Sequence, residues 1–247
     1  MKPASIRSVH RDRIAATIIA ACLALILVAA SVSAHPSSRA TIRTDSTMIQ
    51  DKGKFKISIN GAAVGSEEFD IRPNGDHWIA QATADVHPPG GQQVHVTSHL
   101  TLQPNGTPVS YDWSTQGAKK ASSEIQFQST VAMITLHLEN ARPYTQQFTF
   151  SSPMVAVLDN NLYHQYEILS RLYDRDKKGS QTFSVLIPQE MTPGSVTVDS
   201  INPSGPGNPA EMLRVQTPDL EVDLSIDAKG RLVRLFAPAA NAEVVRE

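Results

Sequence analysis

The residue types that carry chemistry in proteins are present in this chain, but their spacing argues against most of the reactions they could serve. His95 and His99 fall on one face of a strand, yet four residues apart, roughly 13 Å at strand rise, too far to share one metal ion. There is no His-Glu-x-x-His and no cysteine pair, and Cys22 is the only cysteine. Gly-x-Ser-x-Gly, Gly-x-Gly-x-x-Gly and a Walker-type loop are also missing, so no serine elbow or phosphate cradle is marked. Glu67 and Glu68 are adjacent on a strand and point to opposite faces, so they cannot work as an acid/base pair. Glu68 and Asp70 share a face, which reads as a solvated one.

The richest stretch is Leu158-Asp159-Asn160-Asn161-Leu162-Tyr163-His164-Gln165-Tyr166. One reading is a ligand site, with Asn160, Tyr163 and Tyr166 lining a cavity at a helix start and His164 contacting a polar head group. The other is a capping turn followed by core tyrosines whose hydroxyls find backbone partners. Trp113 is read the same two ways, as ligand platform or as core. The basic cluster Arg171, Arg175, Lys177 and Lys178, interleaved with Asp174 and Asp176, fits either an anionic head group or a solvated helix end.

The elements that would position these residues are mostly strands. Phe55, Ile57 and Ile59 alternate with polar neighbours and end at Asn60-Gly61, a tight-turn pair. Phe69 and Ile71 lead to Pro73-Asn74-Gly75. Trp78 through Val86, Val94 through Leu102, Tyr111 and Trp113, Ile125 and Phe127, and Ile134 through Leu138 repeat the pattern. A phase shift near Ser129–Ala132 calls for a turn or bulge. Turns at such short intervals predict an antiparallel meander rather than βαβ units. One helix is expected at about 159–175, from Leu162, Tyr166, Leu169 and Tyr173, with Asp159 as its N-cap. Strands resume with Phe183, Val185 and Ile187. A Pro/Gly-rich loop spans Asn202 to Pro209, and an alternating hairpin turns at Asp227–Gly230. Residues 239–247 read as a tail.

The N-terminal segment gives the expected location. Lys2, Arg7, Arg11 and Arg13 precede an uncharged apolar run from Ile14 to Ala30, and Ser31-Val32-Ser33-Ala34 supplies small residues for cleavage after Ala34. Residues 1–34 are thus read as a signal peptide, which predicts a periplasmic or secreted protein. Retention as a membrane anchor and lipidation at Cys22 are the alternatives. Removal leaves 213 residues, enough for one domain over 51–238 after a tether or first strand at 35–50. That remainder has 18 Lys and Arg against 23 Asp and Glu, a net of −5, which offers no positive field for nucleic acid. It has no cysteine, hence no disulfide, and no cofactor is implied.

Three segments together resemble a known group. They are Phe55-Lys56-Ile57-Ser58-Ile59-Asn60-Gly61 with Val64-Gly65-Ser66-Glu67-Glu68-Phe69, the Leu158–Tyr166 stretch, and Asp227-Ala228-Lys229-Gly230-Arg231-Leu232-Val233-Arg234-Leu235. They resemble an uncharacterised family of exported bacterial β proteins, itself similar to the lipoprotein-carrier (LolA/LolB-like) half-barrels. The resemblance implies a curved antiparallel sheet wrapped around a helix, with an apolar concavity that in the carriers takes acyl chains. It supplies no catalytic residue. The expectation is a mainly β half-barrel that binds or carries a lipid or other apolar ligand. The alternatives are an envelope scaffold with a filled core and a protein partner, or a hydrolase with its site near Asn160–Tyr166.

Overall fold

Alternating runs bounded by residues that tolerate positive φ should close into hairpins, and they do. A computed structural model describes residues 47–117, 120–203 and 209–247. The signal segment 1–34, residues 35–46, and 204–208 of the expected loop lie outside the described residues.

The strands are β1 Asp51–Ile59, β2 Ala62–Asn74, β3 His77–Val86, β4 Val94–Leu102, β5 Pro108–Gln116, β6 Ala121–Gln128, β7 Val131–Leu138 and β8 Tyr144–Thr149. After the short β9 Val155–Val157 comes helix α1, His164–Leu172. Then follow β10 Gln181–Ile187, β11 Thr192–Ile201, β12 Glu211–Gln216, β13 Glu221–Ile226, β14 Leu232–Ala237 and β15 Ala242–Arg246. All form one sheet in the order β8-β7-β6-β5-β4-β3-β2-β1-β15-β14-β13-β12-β11-β10-β9. Every neighbouring pair is antiparallel except β9 and β10, which run parallel. This is the expected mainly β architecture, a curved meander wrapped around one helix.

Local chemistry accounts for the joints. Asn60 and Gly61 both take positive φ, +50° and +78°, so a two-residue turn matches the strand twist between β1 and β2. Ser129, at φ +54°, turns β6 into β7, which explains the phase shift there. Register shifts at Ile57/Ser58, Thr101/Leu102 and Ser225/Ile226 bend the sheet. Its inner face is continuous across the fold. Phe55 and Ile57 of β1, Ile71 of β2, Leu100 of β4, Tyr111 of β5 and Ile134 of β7 are all at most 2% exposed. Helix α1 packs on β9 and β14 and buries Ile168 and Leu169 in this concavity.

Three expectations are corrected. Helix α1 begins five residues later and ends three earlier than expected at 159–175, and Asp159 is not its cap. Residues 239–247 are not a tail, because Ala242–Arg246 pairs with both β1 and β14 in the middle of the sheet. A single turn at Pro238–Ala240, closed by Asn241 at φ +44°, reverses the chain into that strand. Arg171 is not at a solvated helix end: it is buried against Glu167, four residues back on the helix. No helix among the described residues is long and apolar enough to cross a membrane.

Candidate functional site

Segment Asp159–Tyr166 enters the concavity between β9 and α1, and three polar arrangements meet there. The first is built on Asp159. Its Oδ2 accepts the Tyr111 hydroxyl at 2.8 Å, and its Oδ1 accepts the backbone N–H groups of Asn160 and Gln189 at 3.0 Å each. Gln165 closes the ring, its amide donating to the Tyr111 oxygen at 3.2 Å and accepting the Asp159 N–H at 2.5 Å. Asp159 thus ties β5, α1 and the β10–β11 turn into one unit. Burial pushes its carboxyl up to about 6, against the pull of those donors. Burial, then the Asp159 charge, also raises the Tyr111 phenol well above its ordinary value.

The raised Asp159 carboxyl sets a pH dependence. Unfolded, the group ionises near 3.8, while folded it keeps its proton to about 6. The folded state therefore holds more protons in that window, and stability falls as pH rises through it. The contribution is fully present below pH 3.8 and amounts to about 3 kcal/mol. Urea unfolding from pH 4 to 7 should show this slope, and Asp159→Asn should flatten it. An unchanged slope would assign the effect to other groups.

The second arrangement is a buried carboxylate–imidazole pair. Glu67 of β2 is fully buried, on the face opposite that of Glu68 and Asp70. Its Oε2 accepts the Tyr163 N–H at 2.7 Å and the His164 N–H at 3.3 Å, and Oε1 lies 2.6 Å from His164 Nδ1. These are the free donors of a helix N-terminus, so Glu67 caps α1 from another strand. Phe69 stacks on the imidazole at 6.0 Å and on Phe55 at 4.9 Å. His164 Nε2 is buried without a hydrogen-bond partner. The pair is sealed from solvent, both side chains having no exposure.

The third is a charge network joining β1, α1 and β15. Arg246 forms a bidentate pair with Asp51 at 2.7 and 2.8 Å and approaches Glu167 at 3.6 Å. Glu167 binds Arg171 and accepts the Leu232 N–H at 3.1 Å, while Arg171 donates to the Ile49 carbonyl at 2.6 Å. Burial pushes the Glu167 carboxyl up and the Arg171 guanidinium down, each restrained by the other's charge. Gly53 makes room for this: a Cβ there would sit 2.6 Å from the Arg246 guanidinium. The other basic residues of the expected cluster are surface groups, Arg175 pairing with Glu211 and Lys177 with Asp174.

Beside these networks lies an apolar cavity of about 100 Å³. Ile57, Val222, Leu235 and Val244 form its walls, while Asn160, Tyr163 and Tyr166 stand around its polar side. Burial raises both phenols, Tyr166 to about 12. Asn160 donates to Glu190 at 3.0 Å, but its Oδ1 is buried and unpaired. Of the five residues singled out in the sequence, these three share the cavity. His164 is turned into the Glu67 pair. Trp113 lies on β5, opposite Ser98 and Ser123, away from the cavity, and its indole N–H is unpaired. Sequence reasoning missed Glu67, Tyr111 and the β13–β15 wall.

A larger concavity, about 570 Å³, opens on the outer face over Asp70, Gln81, His99 and Asp112. It is a shallow saddle of the twisted sheet whose polar groups bond one another, as Gln81 does His99 at 2.8 Å. Among the described residues no group of three His, Cys, Asp or Glu could hold a metal ion.

Fold and cavity together define a class: an open, barrel-like antiparallel sheet packed around a helix, with a small apolar chamber beside that helix. Within that class the chain is similar to a solved β-barrel-like protein of a domain of unknown function, DUF1849, from Brucella abortus. The TM-score is 0.55 at 6% identity, over 81% of this chain and 95% of that one. A solved DUF1089 family protein from Pseudomonas aeruginosa aligns over 87% of this chain and 97% of that one, at 10% identity and a TM-score of 0.43. The first likeness is one of fold alone, and the second is too distant to carry an argument. No family model and no curated protein matches the chain.

Proposed function

We propose that this is an exported, non-catalytic binding protein that takes the apolar end of a ligand into the chamber beside Asn160, Tyr163 and Tyr166. The chamber carries the reading. Its walls are apolar, so a hydrocarbon group that enters it leaves water for an apolar surround. Its size limits the occupant, since an apolar cavity of about 150 Å³ holds one benzene. The tip of an acyl chain or a branched apolar group fits, and the rest of such a ligand would extend past Asn160. The unpaired Asn160 Oδ1 favours a hydroxyl or amide N–H at that point. Residues 1–34 support export to the periplasm or beyond, and the resemblance of three segments to an exported family that is itself similar to lipoprotein-carrier half-barrels supports an acyl ligand.

The test is titration with a fluorescent fatty acid. Saturable one-to-one binding is expected, and Ala242→Leu, which extends a chamber wall, should abolish it while raising the melting temperature. No saturable binding by the parent protein would reject the reading. The alternative would then hold, an envelope scaffold with a packed interior, which the near-continuous core favours.

A further inference from the structure

We infer that the free edge of β8 is a self-pairing surface, through which two copies of this chain join their sheets antiparallel about a two-fold axis at Gln147. Among the described residues β8 ends the sheet, with β7 as its only neighbour. The Phe150 N–H donates to the Thr130 carbonyl at 2.7 Å. Antiparallel alternation then turns the backbone groups of Phe148, Gln146 and Tyr144 towards β7 and those of Thr145, Gln147 and Thr149 outward. Proteins that remain single usually blunt such an edge with a charge, a proline or a bulge. None occurs between Tyr144 and Thr149, and the β7–β8 ladder runs without a register shift.

The strand is complementary to itself in one register. With Gln147 opposite its copy, Thr145 faces Thr149 of the other copy and Thr149 faces Thr145. All three outward positions then exchange both backbone hydrogen bonds. Shifting the axis to Gln146 would place Thr149 against Pro143, which has no N–H to give. In the Gln147 register the outer face carries a Gln–Gln pair flanked by Thr–Thr pairs, both favourable across strands. On the inner face Tyr144 meets Phe150 and Gln146 meets Phe148. No charge opposes another. Tyr144 is 54% exposed in the single chain, and of the five large apolar side chains exposed among the described residues, Met133, Leu138 and Tyr144 belong to β7 and β8, Met133 on the outer face and the other two on the inner. A joint of one six-residue strand is small, so the association is concentration-dependent.

Sedimentation equilibrium of the purified full chain tests this. The parent chain should self-associate to a dimer. Gln147→Lys and Gln147→Asp, each exposed and leaving the fold intact by circular dichroism, should weaken the dimer more than about tenfold when alone, because like charges meet on the axis. Mixed one to one, they should restore it. A parent chain monomeric throughout, or either variant dimerising as the parent does, would overturn the inference. Failure of the mixture to recover would place the contact elsewhere.

Discussion

Glu67→Ala should lower stability by about 3–5 kcal/mol, the loss expected when one partner of a buried charged contact is removed. For a domain of this size that is roughly 6–20 °C in melting temperature. The substitution leaves the N–H groups of Tyr163 and His164, and the imidazole, without their acceptor, in a place water does not reach. The first turn of α1 then has no cap, since Tyr163 supplies none from its own side chain. Glu67→Gln keeps one oxygen and should lose about half as much. Glu68→Ala removes only a surface contact to Lys54 and should change stability by less than about 0.5 kcal/mol. Thermal melts of the three variants decide the matter. Equal effects at the two glutamates would mean that Glu67 is not the cap.

Glu167→Ala should be as damaging, for a different reason. It leaves the buried Arg171 and the partly buried Arg246 near each other without the carboxylate between them, and it frees the Leu232 N–H. The expected loss is again about 3–5 kcal/mol. The pair Glu167→Leu with Arg171→Leu removes both charges together and should regain at least half of it, because Asp51 remains to hold Arg246. Urea midpoints measure both, read at unchanged slope. A double variant no better than the single one would show that the geometry of this network matters beyond its charge balance.

Most of the strands were legible because their causes are local. Alternation and turn chemistry act over a few residues, so Asn60-Gly61 and Asp227–Gly230 could be read directly. What escaped depends on distant partners. Alternation puts Glu67 on the face opposite Glu68 but names no partner for it, and only its contact with His164, 97 residues on, makes it a buried cap. Arg171 reads as a helix-end cation because, although its partner Glu167 lies only four residues back, the contact with Ile49, 122 residues away, forms only on folding. Strand β9 is three residues long and buried throughout, so no alternation marks it. In β15 Val244 alone is fully buried, too little pattern to distinguish a strand from a tail. Asn160, Tyr163 and Tyr166 were legible as a group, but the opposite wall of their chamber comes from β13–β15 and has no signature near them.

The pairing of β1 with β15 sets a timing problem. Asp51 and Arg246 are 195 positions apart, yet their strands are neighbours in the middle of the sheet. As the chain emerges, β1 can fold back on β2 at once, but its other side stays bare until the last strand arrives. During that interval Phe55, Ile57 and Ile59 sit on an open edge beside an unfinished core. Such late closure slows folding and exposes a template for aggregation. A holding factor during synthesis or export would act on that edge. A circular permutant opened between Thr149 and Val155, with its original ends linked, would make every neighbouring pair of strands consecutive and would remove the wait.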